Sequence, residues 1–208
     1  ALLNPYKKTL EKNEGTLSCD TKSTTEFKLL THQEIVRDYL NLITPFRALL
    51  LLHGLGSGKT CSSIAIAEGI KNEKPVIVLT PASLRTNYLE ELKKCGDELY
   101  KKNQFWEFID IKSKPDVENA LSIILSLPIE FIKKQRGAWL VDTRKKTNFT
   151  ELTAIQQQSL DTQINEMIKT KYSFINYNGM RMSHLTQLTR GYTINPFSNK
   201  IVIIDEVH

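Results

Sequence analysis

Short apolar runs alternate along the chain with longer segments in which apolar residues recur at helical spacing. Residues 27–43 carry Leu30, Ile35 and Leu40 on one predicted helical face. Further helices are predicted from the loop before residue 60 to about residue 71, and within 81–102. The bounded apolar runs that predict strands are 47–52, 75–80, 105–111, 172–178 and 200–208. Strands separated by helices predict an α/β domain with a central parallel sheet flanked by helices.

Three segments differ from this alternation. Residues 1–26 are polar and aperiodic, which predicts an extended or partly disordered lead-in to a domain over 27–208. Residues 114–171 are long and polar, and they predict an insertion that is helical in parts, with a surface helix over 150–171. Within it, residues 131–147 combine six Lys/Arg with Trp139. This stretch is either a nucleic-acid patch with a stacking tryptophan or, as we favour, a solvated hairpin with a buried one.

Composition narrows the class of protein. The 208 residues and 40% hydrophobic content suit one ordinary domain with a proper core. A net charge of +5 permits a polyanionic partner without requiring one. No apolar run approaches the roughly 18 residues that span a bilayer, so no membrane partner is expected. Cys19, Cys61 and Cys95 show no zinc spacing or disulfide framework, which predicts free thiols in a reducing intracellular compartment.

A glycine-dense loop follows the first apolar run. Residues 53–60 read HGLGSGKT, against the phosphate-loop pattern G-x-x-x-x-G-K-[ST], with His53 in place of the first glycine. Glycines leave backbone N–H groups free to surround phosphate oxygens, and the following helix adds its positive end. Lys59 reaches the β- and γ-phosphates, and Thr60 binds Mg²⁺. The alternative is a glycine-rich turn with a chance Lys-Thr pair. The predicted ATP-binding residues of the loop are Gly54, Gly56, Ser57, Gly58, Lys59 and Thr60.

Two acidic residues follow the last apolar run, IVII. This predicts that Asp205 and Glu206 lie at the carboxyl end of a buried strand, the edge at which open α/β sheets bind ligands. An aspartate there can hold the Mg²⁺ that bridges the phosphates. A glutamate beside it can take a proton from the attacking water. Lys59, Asp205 and Glu206 are therefore the predicted catalytic residues, with Thr60 and Asp205 on the metal.

These motifs carry a family resemblance. The sequences GLGSGKT and DEVH resemble motifs I and II of superfamily 2 helicases and translocases of the DExH style, and thus imply a RecA-like P-loop NTPase lobe. The stretch THQEIVRDYL resembles the segment before motif I, which implies that Gln33 lies near the adenine. Residues 79–92 resemble motif Ia, which touches the nucleic-acid backbone, and 174–180 stand where motif Ib is expected. The implied nucleic-acid contacts are Thr80, Ser83 and Arg85.

The combination of motifs resembles most the ATPases of large cytoplasmic DNA viruses, of the poxvirus-type early transcription factor small subunit and nucleoside triphosphate phosphohydrolase kinds. The resemblance implies ATP and Mg²⁺ as cofactors and DNA or RNA as a partner. It also implies viral RNA polymerase or transcription factor subunits as partners, and location in the virion and the host cytoplasm. The chain starts at alanine and stops at His208, the last letter of motif II. We therefore expect a processed or partial product that lacks a second RecA-like lobe.

The expected missing lobe has consequences for activity. In the family it supplies an arginine finger, worth about 10³- to 10⁵-fold in kcat. This chain alone is therefore expected to hydrolyse ATP poorly, and His208 is implied to couple the γ-phosphate to the other lobe. Two alternatives stay open. A P-loop kinase or other phosphotransferase would share the loop and Mg²⁺ without a DExH run, and a non-catalytic docking module would use the lobe as a surface.

Overall fold

A computed structural model describes residues 29–52, 54, 56–112 and 114–206 of the chain. The predicted lead-in over 1–26 and the predicted coupling residue His208 lie outside the described residues. The chain forms two compact units, the first made of Ala1–Gly96 with Phe174–His208 and the second of Asp97–Ser173. The stretch over 114–171 falls within the second unit.

The first unit is built on a sheet of three strands. Strand β1 (Val76–Thr80) is central, between β4 (Tyr172–Asn176) and β5 (Ile201–Ile204). β1 and β5 run parallel, with Val76 opposite Ile201 and Leu79 opposite Ile204. Because β1 has a strand on each side, its residues are largely buried. The predicted α/β class with a central parallel sheet is confirmed.

Helices cover this sheet. Helix α1 (Thr31–Tyr39) packs on α2 (Lys59–Ile70), and α2 packs on α3 (Arg85–Cys95). α2 is apolar on several faces and buries Cys61, Ile64 and Ala67, as expected for a helix that lies between a sheet and other helices. The helices of this unit are α1 (Thr31–Tyr39), α2 (Lys59–Ile70), α3 (Arg85–Cys95) and α7 (Met182–Leu188), with a 3₁₀ turn at Ala82–Leu84.

The apolar run before the loop is not a strand. Residues 46–52 have no regular secondary structure, and the side chains of Leu50 and Leu52 are 66% and 83% exposed. The prediction of a buried strand over 47–52 is therefore wrong. A strand forms only where a neighbour takes up its backbone hydrogen bonds, and within the described part of the chain β5 has β1 as its only strand neighbour.

The second unit holds an antiparallel pair of strands and three helices. β2 (Trp106–Asp110) pairs with β3 (Gly137–Val141), with Phe108 opposite Trp139. The strand predicted over 105–111 exists, but it lies in this pair and not in the parallel sheet. Its role was misjudged because an apolar run does not reveal its pairing partner. The helices are α4 (Pro115–Leu125), α5 (Ile129–Gln135) and α6 (Ala154–Lys171), with 3₁₀ turns at Glu98–Tyr100 and Phe149–Glu151.

The basic stretch over 131–147 is not a hairpin. It contains the end of α5 and then β3, with a turn after β3. Trp139 is only 4% exposed, and its ring packs edge-on against Phe108. A buried tryptophan is thus confirmed, and this tryptophan does not offer a base-stacking surface.

Helix α6 is amphipathic and half-buried, although a surface helix was predicted over 150–171. It begins at a Thr153 cap, whose hydroxyl accepts from the Gln156 N–H. Leu160, Ile164 and Ile168 are fully buried at a spacing of four residues. Each of the described helices is too short or too polar to cross a membrane.

Cys61 and Cys95 form a disulfide between α2 and α3. The prediction that all three cysteines are free thiols is therefore wrong for this pair. The two residues are distant in sequence, but the packing of α2 on α3 brings their Cα atoms to 5.6 Å. Pairing of this kind depends on helix packing and is not visible in cysteine spacing.

Gln163 is the polar group that joins α6 to β3. It is 2% exposed, its Oε1 accepts from the Trp139 N–H at 2.7 Å, and its Nε2 donates to the Trp139 carbonyl at 2.8 Å. We expect Gln163→Ala to lower the free energy of unfolding by about 3 kcal/mol, because two buried backbone groups lose their partners. Urea denaturation followed by tryptophan fluorescence measures this. The control Gln158→Ala, at an exposed position of α6, should cost less than about 0.5 kcal/mol, and equal costs would contradict the assignment.

Candidate functional site

The glycine-rich loop enters α2 through backbone conformations that suit glycine. Gly56 and Gly58 have φ angles of +75° and +79°, in the left-handed region. A Cβ on Gly58 would lie 2.5 Å from Nε2 of Gln33. α2 then begins at Lys59, so the N–H groups of its first turn lie at the end of the loop. The φ angle of residue 58 favours glycine, and a Cβ there would also displace the Gln33 amide.

Helix α1 holds this loop from one side. Gln33 is 3% exposed, and its Nε2 donates to the Gly58 carbonyl at 3.2 Å while its Oε1 accepts from the Leu30 N–H at 2.9 Å. His32 Nε2 lies 3.1 Å from the Ser57 carbonyl oxygen. The structure places the Gln33 amide against the loop backbone, and the implied position of Gln33 near the adenine stays a prediction.

The side chains of the loop contact its own backbone. The Ser57 hydroxyl and the Lys59 ammonium both donate to the Gly54 carbonyl, at 2.7 and 3.4 Å. The positive charge of the Lys59 ammonium lowers the pKa of the Asp205 carboxyl, in opposition to burial and to the Glu206 carboxylate, which raise it. Lys59 thus lies between the loop and the acidic end of β5.

The acidic pair is held by the sheet and by a tyrosine. The Asp205 N–H donates to the Leu79 carbonyl at 2.9 Å, which continues the parallel ladder one residue beyond β5. The Tyr177 hydroxyl lies 3.0 Å from the Asp205 carbonyl oxygen and 2.7 Å from that of Glu206, and its single proton serves one of them at a time. Glu206 has a φ of +54°, a conformation that costs a residue with a Cβ about 1–3 kcal/mol.

The loop helix and the acidic pair share one cleft of about 200 Å³. Thr60 comes from the first turn of α2, and Asp205 and Glu206 come from the end of β5. Hydroxyl and carboxylate oxygens are the ligands that Mg²⁺ prefers, so this donor set fits a magnesium ion with phosphate oxygens beside it. The residues that line the cleft are Thr60, Leu84, Asn87, Tyr88, Glu91, Asp205 and Glu206.

Burial raises the pKa of the Asp205 carboxyl, and the neighbouring Glu206 carboxylate raises it further. The Thr80 hydroxyl, a backbone N–H and Lys59 act in the opposite direction. Burial also raises the pKa of Tyr88, whose hydroxyl lies 3.0 Å from the Ser63 hydroxyl. The ionised Asp205 carboxylate is therefore poorly solvated, which favours a cation beside it.

The predicted nucleic-acid contacts do not share one environment. Ser83 and Arg85 are exposed, on the 3₁₀ turn and at the first residue of α3, and the Arg85 guanidinium lies 5.3 Å above the Phe174 ring. Thr80 is fully buried, and its hydroxyl donates a long 3.5 Å hydrogen bond to Asp205. Thr80 thus offers no solvent-exposed surface in this structure, and its implied contact with a nucleic-acid backbone stays a prediction.

Three residues of the site were not predicted as site residues from the sequence. Tyr177, Tyr88 and His32 contact the acidic pair, the cleft and the loop respectively. His32 had one signal, since it directly precedes Gln33 on α1. The two tyrosines lie in the stretches that resemble motifs Ia and Ib, but nothing in those stretches marks them as site residues, because their roles arise from packing between segments distant in sequence.

The fold and the cleft together define an ATP-binding domain of helicase type. The family model described as "Type III restriction enzyme, res subunit" matches residues 26–208. The chain belongs to this family. The resemblance to helicases is thereby confirmed at the level of a helicase-type domain, while the DExH subtype and the poxvirus-type subgroup stay predictions.

Similar proteins are viral. A protein of Acanthamoeba polyphaga mimivirus named as an inferred ATP-dependent RNA helicase is 42% identical over 69 residues, 33% of this chain and 12% of that relative. A second such mimivirus protein is 40% identical over 89 residues, 40% of this chain and 8% of the relative. A protein of Frog virus 3 named as an inferred helicase is 43% identical over 70 residues, 31% of this chain and 7% of the relative. The chain thus matches a small part of each relative. No solved structure matches it significantly.

We expect Asp205→Asn to stabilise the ligand-free chain at neutral pH. Because the pKa of Asp205 in the folded state lies above its ordinary 3.8, the ionised carboxylate costs folding free energy once the pH exceeds the folded-state value. The gain should stay below about 1 kcal/mol, since Asp205 is only half-buried and solvent screens its charge. It should vanish as the pH falls below about 3.8.

Urea denaturation at pH 7 and at pH 3 measures the difference. Glu107→Gln, at an exposed position of β2, is the matched control and should show little change at either pH. A loss of stability in Asp205→Asn at pH 7 would contradict the expected charge penalty.

Proposed function

We propose that this chain is the ATP-binding lobe of a nucleic-acid-dependent ATPase of the DExH helicase or translocase type, which acts in viral transcription. The observation that carries the proposal is the shared cleft, where Thr60 at the start of α2 meets Asp205 and Glu206 at the end of β5. A phosphate-loop helix facing an acidic pair is the constellation that phosphoryl transfer to water requires. Membership of a helicase-type family and the viral relatives support the same function.

In this proposal, several described residues have separate roles in ATP hydrolysis. Gly56, Gly58 and the first N–H groups of α2 surround phosphate oxygens, and Lys59 moves its ammonium from the Gly54 carbonyl to the β- and γ-phosphates. Thr60 and Asp205 would hold Mg²⁺, which, when bound, offsets the phosphate charge. Glu206 accepts the proton of the attacking water, since it is exposed at the cleft.

The nucleic acid and the other partners belong to the same proposal. Ser83 and Arg85 are placed to contact a DNA or RNA backbone, because both are exposed and precede or begin α3, which reaches the cleft through Asn87 and Tyr88. A second RecA-like lobe would close over ATP and be coupled through His208. Viral RNA polymerase or transcription factor subunits would complete the assembly, in the virion and the host cytoplasm.

Two substitutions test the chemistry of the cleft. We expect Lys59→Ala to lower hydrolysis about 10²- to 10³-fold by removing a cation from the developing phosphate charge. Glu206→Gln should lower it about 10²- to 10⁴-fold while ATP binding is kept, because only the proton acceptor is lost. Hydrolysis and fluorescent-nucleotide binding are measured on the chain and on the longer protein of which it is proposed to be a part. Lys146→Ala and Glu107→Gln, both exposed in the second unit, are the controls.

The same assay is run with single- and double-stranded DNA and RNA. Stimulation by one of these, lost in both cleft variants, is the expected result and identifies the strand type. Hydrolysis that no nucleic acid changes would contradict the helicase-type proposal and favour a phosphotransferase. A folded longer protein without any hydrolysis would favour a docking module.

Arg85 tests the nucleic-acid surface separately. We expect Arg85→Ala to weaken binding of the stimulating nucleic acid and to reduce the slope of log affinity against log salt concentration by about 1, as for one lost phosphate contact. Arg144→Ala, whose side chain is 88% exposed in the second unit, should leave that slope unchanged. Thermal unfolding of Arg85→Ala measures how much stability is lost with its contact to Phe174. If the salt-dependence slope of Arg85→Ala is unchanged, Arg85 does not contact the nucleic acid.

A further inference from the structure

A carboxylate and two sulfurs meet between α2 and α3. Cys95 and Glu91 are four residues apart on α3 and therefore share a face of the helix. Cys61, in the first turn of α2, comes from the facing helix. The three ligand atoms, two Sγ and one carboxylate oxygen, lie within 4.8 Å of one another. Both cysteines are buried, at 6% and 7% exposure, and Glu91 is half-buried.

The Glu91 carboxylate lies close to the sulfur atoms of both cysteines. Its Oε2 lies 3.4 Å from Cys61 Sγ and 3.6 Å from Cys95 Sγ. Its Oε1 is engaged by Lys94 Nζ at 2.9 Å, which leaves Oε2 directed at the sulfurs. A disulfide sulfur carries no proton, so in the oxidised state three sets of lone pairs face one another. The arrangement becomes favourable when protons or a cation lie between the three atoms.

The distances match a zinc-type coordination shell. Tetrahedral Zn–S and Zn–O bonds of about 2.3 and 2.1 Å place a sulfur and an oxygen ligand about 3.6 Å apart, close to both observed Sγ–Oε2 distances. Two sulfur ligands would be about 3.8 Å apart, so the sulfurs must separate once their bond is broken. The Cα atoms are 5.6 Å apart, which leaves room for this through rotation of the side chains.

We propose that, after reduction, Cys61, Cys95 and Glu91 form a binding site for one soft divalent cation of the zinc type. Two thiolates and a carboxylate select such an ion over Mg²⁺, which prefers oxygen ligands alone. Glu91 also lines the cleft that contains Thr60, Asp205 and Glu206, so solvent can reach the ion and supply a fourth ligand. The site differs from the magnesium site in its ligand atoms.

The site forms in two steps, reduction of the disulfide and binding of the cation. A dithiol reductant gives two electrons and two protons to the Cys61–Cys95 disulfide, which becomes two thiols, while the reductant becomes a disulfide. Binding of M²⁺ then displaces the two thiol protons to solvent and forms two metal–thiolate bonds. Oxidation to the disulfide removes both thiolates, so disulfide and metal exclude each other. One residue before Cys61 is Thr60, which brings this exchange next to the nucleotide cleft.

The test is a Co²⁺ titration of the reduced 208-residue chain carrying Cys19→Ser, in excess Mg²⁺ so that oxygen sites are filled. We expect one equivalent of Co²⁺ with thiolate-to-cobalt charge-transfer absorption, displaced by Zn²⁺. Cys61→Ser and Cys95→Ser should each abolish that absorption. Glu91→Gln should weaken affinity at least about tenfold, while the control Glu90→Gln, one residue away on α3, should not change it.

A second experiment uses the oxidised Cys19→Ser chain without any further substitution, so that its result does not depend on whether a site variant folds. With the disulfide intact, confirmed by mass spectrometry after alkylation, the chain must show no charge-transfer absorption, and addition of the reductant must restore it. Circular dichroism checks each variant for folding. The proposal is overturned if the reduced chain lacks the absorption, if either serine variant keeps it, or if Glu91→Gln binds Co²⁺ as tightly as Glu90→Gln does.

Discussion

Parallel pairing between β1 and β5 is the interaction on which the site depends. It places the Asp205 N–H on the Leu79 carbonyl, so that a residue 125 positions after Thr80 comes within hydrogen-bond distance of it. The carboxyl ends of both strands then face the start of α2 across one cleft. A parallel strand pair needs a long crossover, and here the chain between the strands includes the whole second unit, Asp97–Ser173.

The loop at this cleft is supported before any ligand binds. α1 contributes a buried amide, Gln33, whose two ends hold the Gly58 carbonyl and the start of its own helix. Gly58 in turn has the backbone conformation and the lack of a Cβ that this contact needs. Under the proposed function, such support would fix N–H groups in advance of phosphate binding, so that less ordering free energy would be lost when phosphate arrives.

Unfavourable features concentrate at the same place. Asp205 is partly desolvated beside a second carboxylate, which raises its pKa, and Glu206 adopts a left-handed backbone conformation. The Tyr177 hydroxyl and the β1 ladder hold these residues where they are. Strain and poorly solvated charge persist in folded proteins when surrounding contacts outweigh them, and they are common at functional sites. The sulfur and carboxylate cluster of Cys61, Cys95 and Glu91 adds a second set of ligand atoms near the cleft, because Glu91 also lines it.

The sequence by itself determined the features that depend on short-range pattern. HGLGSGKT placed the start of α2 at Lys59, and IVIIDE placed the acidic pair directly after a strand, because phosphate loops and strand ends are encoded by contiguous residues. The class of fold followed from the alternation of runs and helical segments. Only the tertiary structure decided which segments pair and which side chains contact each other. It left residues 47–52 outside the sheet, paired β2 with β3, joined Cys61 to Cys95, buried Thr80 and brought Tyr177 to Asp205. The reason is physical: an apolar run or a lone side chain shows that a residue will be buried or bonded, but its partner depends on packing between segments that are distant along the chain.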